Sequence, residues 1–226
     1  GNNNIGVSGS APRAGLAGLQ LISCSTTDTR ESAALSHERQ DIDIYSNSWG
    51  PSDDGETLEG PGPLMLAAME NSVLTGRNGL GNIITWAAGN GLTGDDNANY
   101  DGYANLRYTI AVTAVSHNGK QSYYAEPGAN ILVAAPSNGD GESITTTDNE
   151  GSGGYSNGDY TNTFGGTSSA TPLVSGVIAL MLEANANLTW RDVQHIIVLT
   201  SRVNNASDFS WNCLLYTSPS PRDSDS

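Results

Sequence analysis

The chain has 226 residues, which is enough for one domain with a substantial core. Its 24 acidic residues outnumber its 9 basic ones and give a formal net charge of −15, so binding to the phosphate backbone of a nucleic acid is not expected. The charge suits cationic partners, meaning basic peptides or calcium, or it only keeps the protein in solution. The two cysteines predict no disulfide framework, and we predict neither a signal peptide nor a membrane-spanning stretch.

The two ends of the chain suggest a piece of a longer protein. The sequence starts without Met, and residues 213–226 resemble the translated adaptor of a sequencing library rather than a protein segment. We therefore expect one domain over residues 1–212, with the tail excluded from the fold. Cys24 is then the remaining cysteine, and we expect it to be reduced.

The N-terminal part contains a loop and an apolar run. Residues 1–12 are rich in glycine and asparagine, and their spacing alone favours a plain surface loop. Alternating carbonyls with one Asn side chain also suit a hard cation such as calcium. Residues 17–22 are apolar and predict a buried strand.

The next segments alternate between helix and strand. Residues 28–31 read as a capping box that opens a helix to about Gln40, which gives Glu31 a capping role, although a substrate role stays open. Residues 41–48 predict a strand, which leads into an acidic turn at 52–61, and residues 62–75 carry apolar side chains at helical spacing.

Three more strands are predicted, at residues 82–88, 109–115 and 131–135. The first ends in Gly89-Asn90-Gly91, which is either a turn or part of a site, because sites of open α/β sheets lie at the carboxyl ends of strands. Asn118-Gly119 is a hairpin-type turn signal. Residues 137–163 predict a long exposed loop.

Residues 165–184 predict a helix buried all round, preceded by a Gly-Gly bend and capped by Thr167. Ser168 lies in its first turn, where free N–H groups and the helix dipole favour developing negative charge, although a simple capped core helix explains the segment equally well. Pro172 cannot donate to the carbonyl of Ser168. A last helix follows from Thr189 to about Thr200. This alternation indicates an α/β fold, with a mainly parallel sheet covered by helices on both faces.

Gly166-Thr167-Ser168-Ser169-Ala170-Thr171-Pro172 resembles the nucleophile motif of subtilisin-like serine proteases, the peptidase S8 family. The resemblance implies an incomplete subtilisin-like three-layer fold, with Ser168 as nucleophile and Asn90 as side-chain donor to the oxyanion. Further blocks resemble the kexin and furin-like proprotein convertases, and these are residues 44–55, 79–83, 101–105 and 182–192.

The convertase resemblance implies roles for further residues. It implies calcium as cofactor and cleavage after Arg or paired basic residues, with Asp53 and Asp101 as the acidic walls around the substrate's arginine. Glu31 and Glu59 would contact a more distant basic residue, and Ser48, Trp49 and Gly50 would pair with the substrate backbone. The implied calcium ligands are the carbonyls of Gly1, Ile5 and Val7, the Asn3 side chain, and a second group formed by Asp53, Asp96 and Glu126.

The catalytic base is not found among the three histidines of the chain. His37, His117 and His195 all lack the His-Gly-Thr setting of the family, and each is expected to be an ordinary histidine. The resemblance implies that the acid and the histidine precede the first calcium loop, so the chain as given is expected to be inactive. A pseudoprotease or binding module without the histidine stays open.

Other departures bear on specificity and origin. Ala98 and Tyr100 stand where eukaryotic convertases carry cysteines, which suggests a bacterial or environmental relative. Strict dibasic cleavage is therefore less secure than proteolysis, and a general subtilase without basic preference is an alternative. We expect a monomer that is secreted, or located in the secretory pathway or the periplasm.

Overall fold

A computed structural model of the chain describes residues 6–207. Its main elements, in chain order, are α1 (Asp28–Ser36), β1 (Ile44–Asn47), α2 (Pro63–Thr75), β2 (Ile83–Ala87), β3 (Thr109–Val115), β4 (Ile131–Pro136), β5 (Ile144–Thr147), β6 (Tyr160–Phe164), α3 (Thr167–Ala184) and α4 (Trp190–Thr200).

Four parallel strands form the central sheet, in the order β1-β2-β3-β4. All five residues of β2 are buried, as expected for a strand covered on both faces. Alternate residues face opposite layers: Ile83 and Ile110 pack with α3 and α4, whereas Ile84 and Ala111 pack with α1 and α2. The three-layer α/β architecture predicted from the sequence is thereby confirmed.

The helix starts differ in part from the prediction. Helix α4 begins with the expected capping box of Thr189 and Asp192. For α1 the prediction was wrong: Thr27 is the N-cap, and the helix ends at Ser36 rather than near Gln40. Asp28 instead caps α2, because its carboxylate accepts the N–H groups of Leu64 and Met65 at 2.9 and 2.7 Å.

Helix α3 also differs from the prediction in two ways. Its N-cap is Gly166, with a positive φ of 77°, and the hydroxyl of Thr167 donates to Asn90 instead of capping its own helix. The helix contacts all four strands of the sheet, yet it is not buried all round, since Val177 is 51% exposed. By length and composition α3 could cross a membrane, contrary to the sequence-based expectation, but its contacts with the sheet are those of a core helix.

Two further predictions, a strand and a long loop, need correction. Residues 17–22 form no strand and pair with none of the described strands, and Ile22 is 61% exposed. Residues 137–163 are not wholly loop, since β5 and part of β6 fall within them and pair as an antiparallel ribbon. The turn predicted at Asn118-Gly119 is present, and an isolated antiparallel bridge between Val115 and Gln121 closes it. The strands β3 and β4 on either side of it pair in parallel.

Candidate active site

A cleft of about 290 Å³ opens where the carboxyl ends of β1 and β2 meet the first turn of α3. This is the end of a parallel sheet at which α/β proteins build their sites. The cleft brings together most of the candidate residues, and its lining includes Ser48, Trp49, Gly50, Asp53, Asn90, Asp96, Asp101, Glu126, Thr167 and Ser168.

Hydrogen bonds with the side chains of Asn138 and Ser137 fix the turn that carries Ser168. The N–H of Gly166 donates to Oδ1 of Asn138 at 2.8 Å, and its carbonyl accepts the hydroxyl of Ser137 at 2.7 Å. Ser169, which is buried, shares a second bond with Ser137 at 2.6 Å. Ser168 itself is only half-buried, so its side chain stays within reach of a ligand in the cleft.

The carboxamide of Asn90 is fixed in orientation by Thr167. Its Oδ1 accepts the N–H and the hydroxyl of Thr167 at 2.8 and 3.0 Å. The nitrogen Nδ2 then faces the acidic side of the cleft, where Oδ2 of Asp53 lies at the long distance of 3.5 Å. Since that contact is at the limit of a hydrogen bond, Nδ2 remains available as a donor to another acceptor.

Three of the carboxylates that line the cleft lie close together. Ligand atoms of Asp53, Asp96 and Glu126 are all within 4.8 Å of one another. Oε1 of Glu126 accepts the N–H of Gly91 at 2.8 Å. Burial raises the pKa of Glu126 to about 8 and the charges of Asp96 and Asp53 add to the shift, although the bond from Gly91 opposes it.

The oxygens of this group suit a hard divalent cation. Calcium binds carboxylate oxygens, and a cation there would offset the repulsion that raises the pKa of Glu126. Gly89 makes room for the group: its φ is +101°, and a Cβ at this position would overlap the Glu126 carboxylate. The donor set therefore fits calcium.

Asp101 supplies a buried carboxylate to the wall of the cleft. Its Oδ1 accepts the N–H groups of Tyr103 and Ala104 at 2.7 and 3.2 Å. Its Oδ2 lies close to Gly50, where a Cβ atom would be only 2.9 Å from this oxygen. Burial raises the pKa of Asp101 to about 6, with smaller contributions from Asp53 and Asp96.

The other two acidic candidates have different environments. Glu31 is only 6% exposed, and its Oε2 accepts the hydroxyl of Tyr103 at 3.1 Å. Glu59 has an exposed side chain, and its backbone is bridged to Asp101. Neither residue lines the cleft. Burial together with the nearby Glu31 raises the pKa of the Tyr103 hydroxyl above its usual range.

The segment after β1 is fixed by aromatic packing. The rings of Trp49, Trp86 and Tyr103 lie with centroids 4.8 to 5.1 Å apart. The indole N–H of Trp86 donates to the carbonyl of Trp49. These contacts hold Trp49 and the adjacent Gly50 at the rim of the cleft.

The three histidines are all exposed, and none of them lines the cleft. His37 lies instead along a separate groove of about 1350 Å³ beside β1. Of the first calcium loop, Gly1, Asn3 and Ile5 lie outside the described residues, and Val7 is 37% exposed.

Sequence reasoning missed several residues that support the site. Tyr103 belongs to the block 101–105 that carried the resemblance, so its place in the sequence was a usable signal. Asn138 and Ser137 lie in the stretch predicted as a loop, where nothing marked them. The hydroxyl of Ser48 donates to the carbonyl of Ser168, a contact between residues too distant in sequence for any pattern to indicate.

Comparison with known proteins identifies relatives of similar sequence. The chain is 41% identical over 215 residues to proprotein convertase subtilisin/kexin type 5 of Rattus norvegicus, covering 93% of this chain and 12% of the relative. It is 45% identical over 205 residues to the type 7 convertase of Mus musculus, covering 88% of this chain and 26% of the relative. The chain thus spans about an eighth to a quarter of the length of these relatives.

Solved structures share the fold. A serine protease of Aeromonas sobria, solved with its chaperone, superposes with a TM-score of 0.79 at 24% identity, covering 91% of this chain and 42% of that one. A protease of Pseudoalteromonas arctica gives 0.68 at 24% identity, covering 89% and 60%. The profile of peptidase S8, described as the subtilase family, matches residues 1–212. This chain therefore belongs to the subtilase family.

Proposed function

We propose that the parent protein of this chain is a serine endopeptidase that hydrolyses peptide bonds, in which Ser168 is the nucleophile and Asn90 stabilises the oxyanion. One observation carries the proposal: the N–H and the hydroxyl of Thr167 both donate to Oδ1 of Asn90, so Nδ2 of Asn90 is left as a donor in the cleft that Ser168 also lines. A donor placed where negative charge develops lowers the barrier of acyl transfer.

The chemistry follows from these two positions. The hydroxyl of Ser168 attacks the scissile carbonyl and loses its proton to a base, and Nδ2 of Asn90 donates to the oxygen that becomes negative. The amine leaves with the returned proton, and water then hydrolyses the acyl-enzyme. The base is not one of the three histidines of this chain; in the proposal, the catalytic acid and histidine come from polypeptide preceding Gly1 in the parent protein.

We further propose that the cleft prefers a basic side chain. Asp53 and Asp101 line it, and the buried Asp101 gains most from a cationic partner, because its charge is otherwise poorly solvated. A guanidinium can pair with two carboxylate oxygens at once, which favours Arg over Lys. The relatives described above are proprotein convertases, which supports cleavage within precursor proteins.

Glu31 and Glu59 are proposed to extend this preference to a more distant basic residue. Glu59 is exposed and able to meet a substrate directly. Glu31 is buried against Tyr103, so it would attract a basic residue of the substrate by long-range electrostatics rather than by direct contact. Ser48, Trp49 and Gly50 lie at the rim, where an extended peptide would pair with their backbone.

Calcium is proposed at the group formed by Asp53, Asp96 and Glu126, where it would balance three negative charges and hold the floor of the cleft. A second calcium at Gly1, Asn3, Ile5 and Val7 stays a proposal from the resemblance alone. We also propose a secreted, secretory-pathway or periplasmic monomer, with residues 1–212 as part of its catalytic domain and 213–226 as a non-native tail.

The test uses the full-length parent protein. We expect Ser168→Ala to reduce hydrolysis of Arg-Arg peptides to background, a fall of roughly 10⁶-fold, which is the size found when the nucleophile of the related subtilisin is removed. Ser152→Ala, an exposed serine between β5 and β6, is the matched control and should keep full turnover. Unchanged hydrolysis by Ser168→Ala would overturn the assignment.

Two further outcomes separate the alternatives. If Asp53→Asn leaves the preference for Arg over neutral residues unchanged, the protein is a general subtilase. If the upstream coding sequence of the parent gene has no His-Gly-Thr run and the wild-type protein binds peptides without cleaving them, it is a binding module.

A further inference from the structure

Helix α3 contains a proline one turn after Ser168. Pro172 is the fourth residue after the nucleophile, and it lies inside the helix. In a regular α-helix the N–H of that position would donate to the Ser168 carbonyl, but proline has no N–H. The carbonyl of the nucleophile thus lacks its normal helical donor.

The structure provides a substitute donor from another element. The hydroxyl of Ser48 donates to the carbonyl oxygen of Ser168 at 3.0 Å, across 120 positions of sequence. Ser48 directly follows β1, is half-buried, and lines the same cleft as Ser168. The bond therefore joins the rim of the cleft to the peptide unit between Ser168 and Ser169.

A second hydroxyl contact provides a comparison. Two turns along α3, Ser175 donates to Oγ of Ser46 at 2.9 Å and lies 2.8 Å from Oγ1 of Thr85. This contact also ties α3 to the sheet, but it involves neither the first turn of the helix nor the cleft. General anchoring of the helix is thus separable from the bond at the nucleophile.

We propose that Ser48 is a positioning residue, whose hydroxyl replaces the N–H that Pro172 lacks and so sets the orientation of the Ser168 peptide unit. The proposal rests on the function proposed above. Ser169 fixes the other side of this unit, since its N–H donates to the carbonyl of Gly166 at 3.1 Å. Without the Ser48 hydroxyl, the peptide unit between Ser168 and Ser169 would keep the bond from the Ser169 N–H but could rotate about it. Such a rotation would move Oγ of Ser168 relative to Nδ2 of Asn90. A small misplacement of a nucleophile costs rate more than binding.

The first measurement is steady-state hydrolysis of an Arg-Arg peptide by the full-length parent enzyme. We expect Ser48→Ala to lower kcat by about 5- to 30-fold, the effect of losing one partly buried hydrogen bond, with KM within about twofold. Ser46→Ala is the control, and it should keep kcat because it removes only the contact to Ser175.

The decisive variant restores the missing donor. In Ser48→Ala/Pro172→Ala the N–H of residue 172 can reach the Ser168 carbonyl, so we expect kcat to recover most of its loss. If Ser48→Ala changes only KM, or if the double variant stays as slow as the single one, Ser48 does not position the nucleophile.

Thermal unfolding tests the hydrogen bond without relying on activity. We expect Ser48→Ala to lower Tm by about 2–4 °C when residue 172 is proline, and by much less when it is alanine. Equal losses in the two backgrounds would overturn the proposal whatever the activity. Unequal losses in a protein whose wild type does not hydrolyse peptides would support the bond and count against the proposed function instead.

Discussion

Asp101 shows how a single residue can be costly for the fold and useful for the site. Its carboxylate is 9% exposed, and two backbone N–H groups stabilise only one of its oxygens. Burial therefore raises its pKa from 3.8 to about 6, and ionising it destabilises the fold as the pH rises between these values. The sequence indicated Asp101 because it lies in residues 101–105, which resemble the convertases. Its burial beside Gly50 is a tertiary contact, which no local sequence pattern encodes.

The raised pKa of Asp101 predicts a pH-dependent affinity for cations. In the full-length Ser168→Ala protein we expect benzamidine to bind more weakly as the pH falls below about 6, approaching tenfold per unit, because the protonated carboxyl no longer pairs with the amidinium. Calorimetric titration at pH 5.0 and 7.5 measures the change. Asp101→Asn should bind weakly at both values, and a flat wild-type profile would contradict the prediction.

At the scale of elements, the connection between α1 and α2 is the feature that sequence patterns described least well. The pattern 28–31 reads as a capping box for α1, yet the Asp28 carboxylate turns to the start of α2. Gly62, the N-cap of α2, has no side chain to cap with, and a Cβ there would overlap that carboxylate. Local sequence can indicate that a cap is present, but not which helix end lies close enough to receive it.

The cap on α2 can be tested by unfolding. We expect Asp28→Ala to lower the free energy of unfolding by about 1–2 kcal/mol, because two N–H groups and the positive end of α2 lose their acceptor. Glu70→Ala, which removes an equal charge from the exposed face of α2, should change it by less than about 0.5 kcal/mol. Urea titration measures both variants, and equal losses would mean that charge rather than capping is responsible.

At the scale of the whole molecule, the sequence predicted the strands of the central sheet well. The apolar runs at 82–88, 109–115 and 131–135 form β2, β3 and β4. β2 and β3 are buried along most of their length, as expected for strands covered on both faces, whereas β4, at one end of the sheet, is only partly buried. The run at 17–22 has the same appearance, but a strand also requires hydrogen-bonded pairing, and this run pairs with none of the described strands. The ribbon of β5 and β6 is built mainly from Thr, Tyr and Asn, so its composition gave no contrast with a loop.

The acidic group is also a property of the whole molecule. Asp53, Asp96 and Glu126 come from the loops after β1, β2 and β3, and parallel pairing brings these loops to one edge of the sheet. The sequence predicted the three residues only through the resemblance. Their separations, and the pKa of Glu126 near 8, required the three-dimensional arrangement.

Calcium binding at this group should depend on pH. Glu126 must release its proton before it can coordinate, so we expect calcium affinity to rise with pH up to about 8 and then to level off. The measurement is the increase of Tm on replacing a chelator with calcium, at pH 6.5 and 8.5. Asp54→Asn, at an exposed aspartate bonded to Thr57, is the control and should keep the increase. An undiminished increase in Glu126→Gln would contradict the assignment.

The parallel pairing of the central sheet also bears on the stage of folding at which the cleft forms. Parallel strands cannot be joined by tight turns, and the contacts that complete the cleft link Asn90 to Thr167 and Ser48 to Ser168 across 77 and 120 positions. Because closing such long loops is entropically costly, we expect these contacts to form late in folding. If Ser168 is the nucleophile, as proposed, we expect a nascent or misregistered chain to present its serine without these partners and to gain activity only in the last stage of folding.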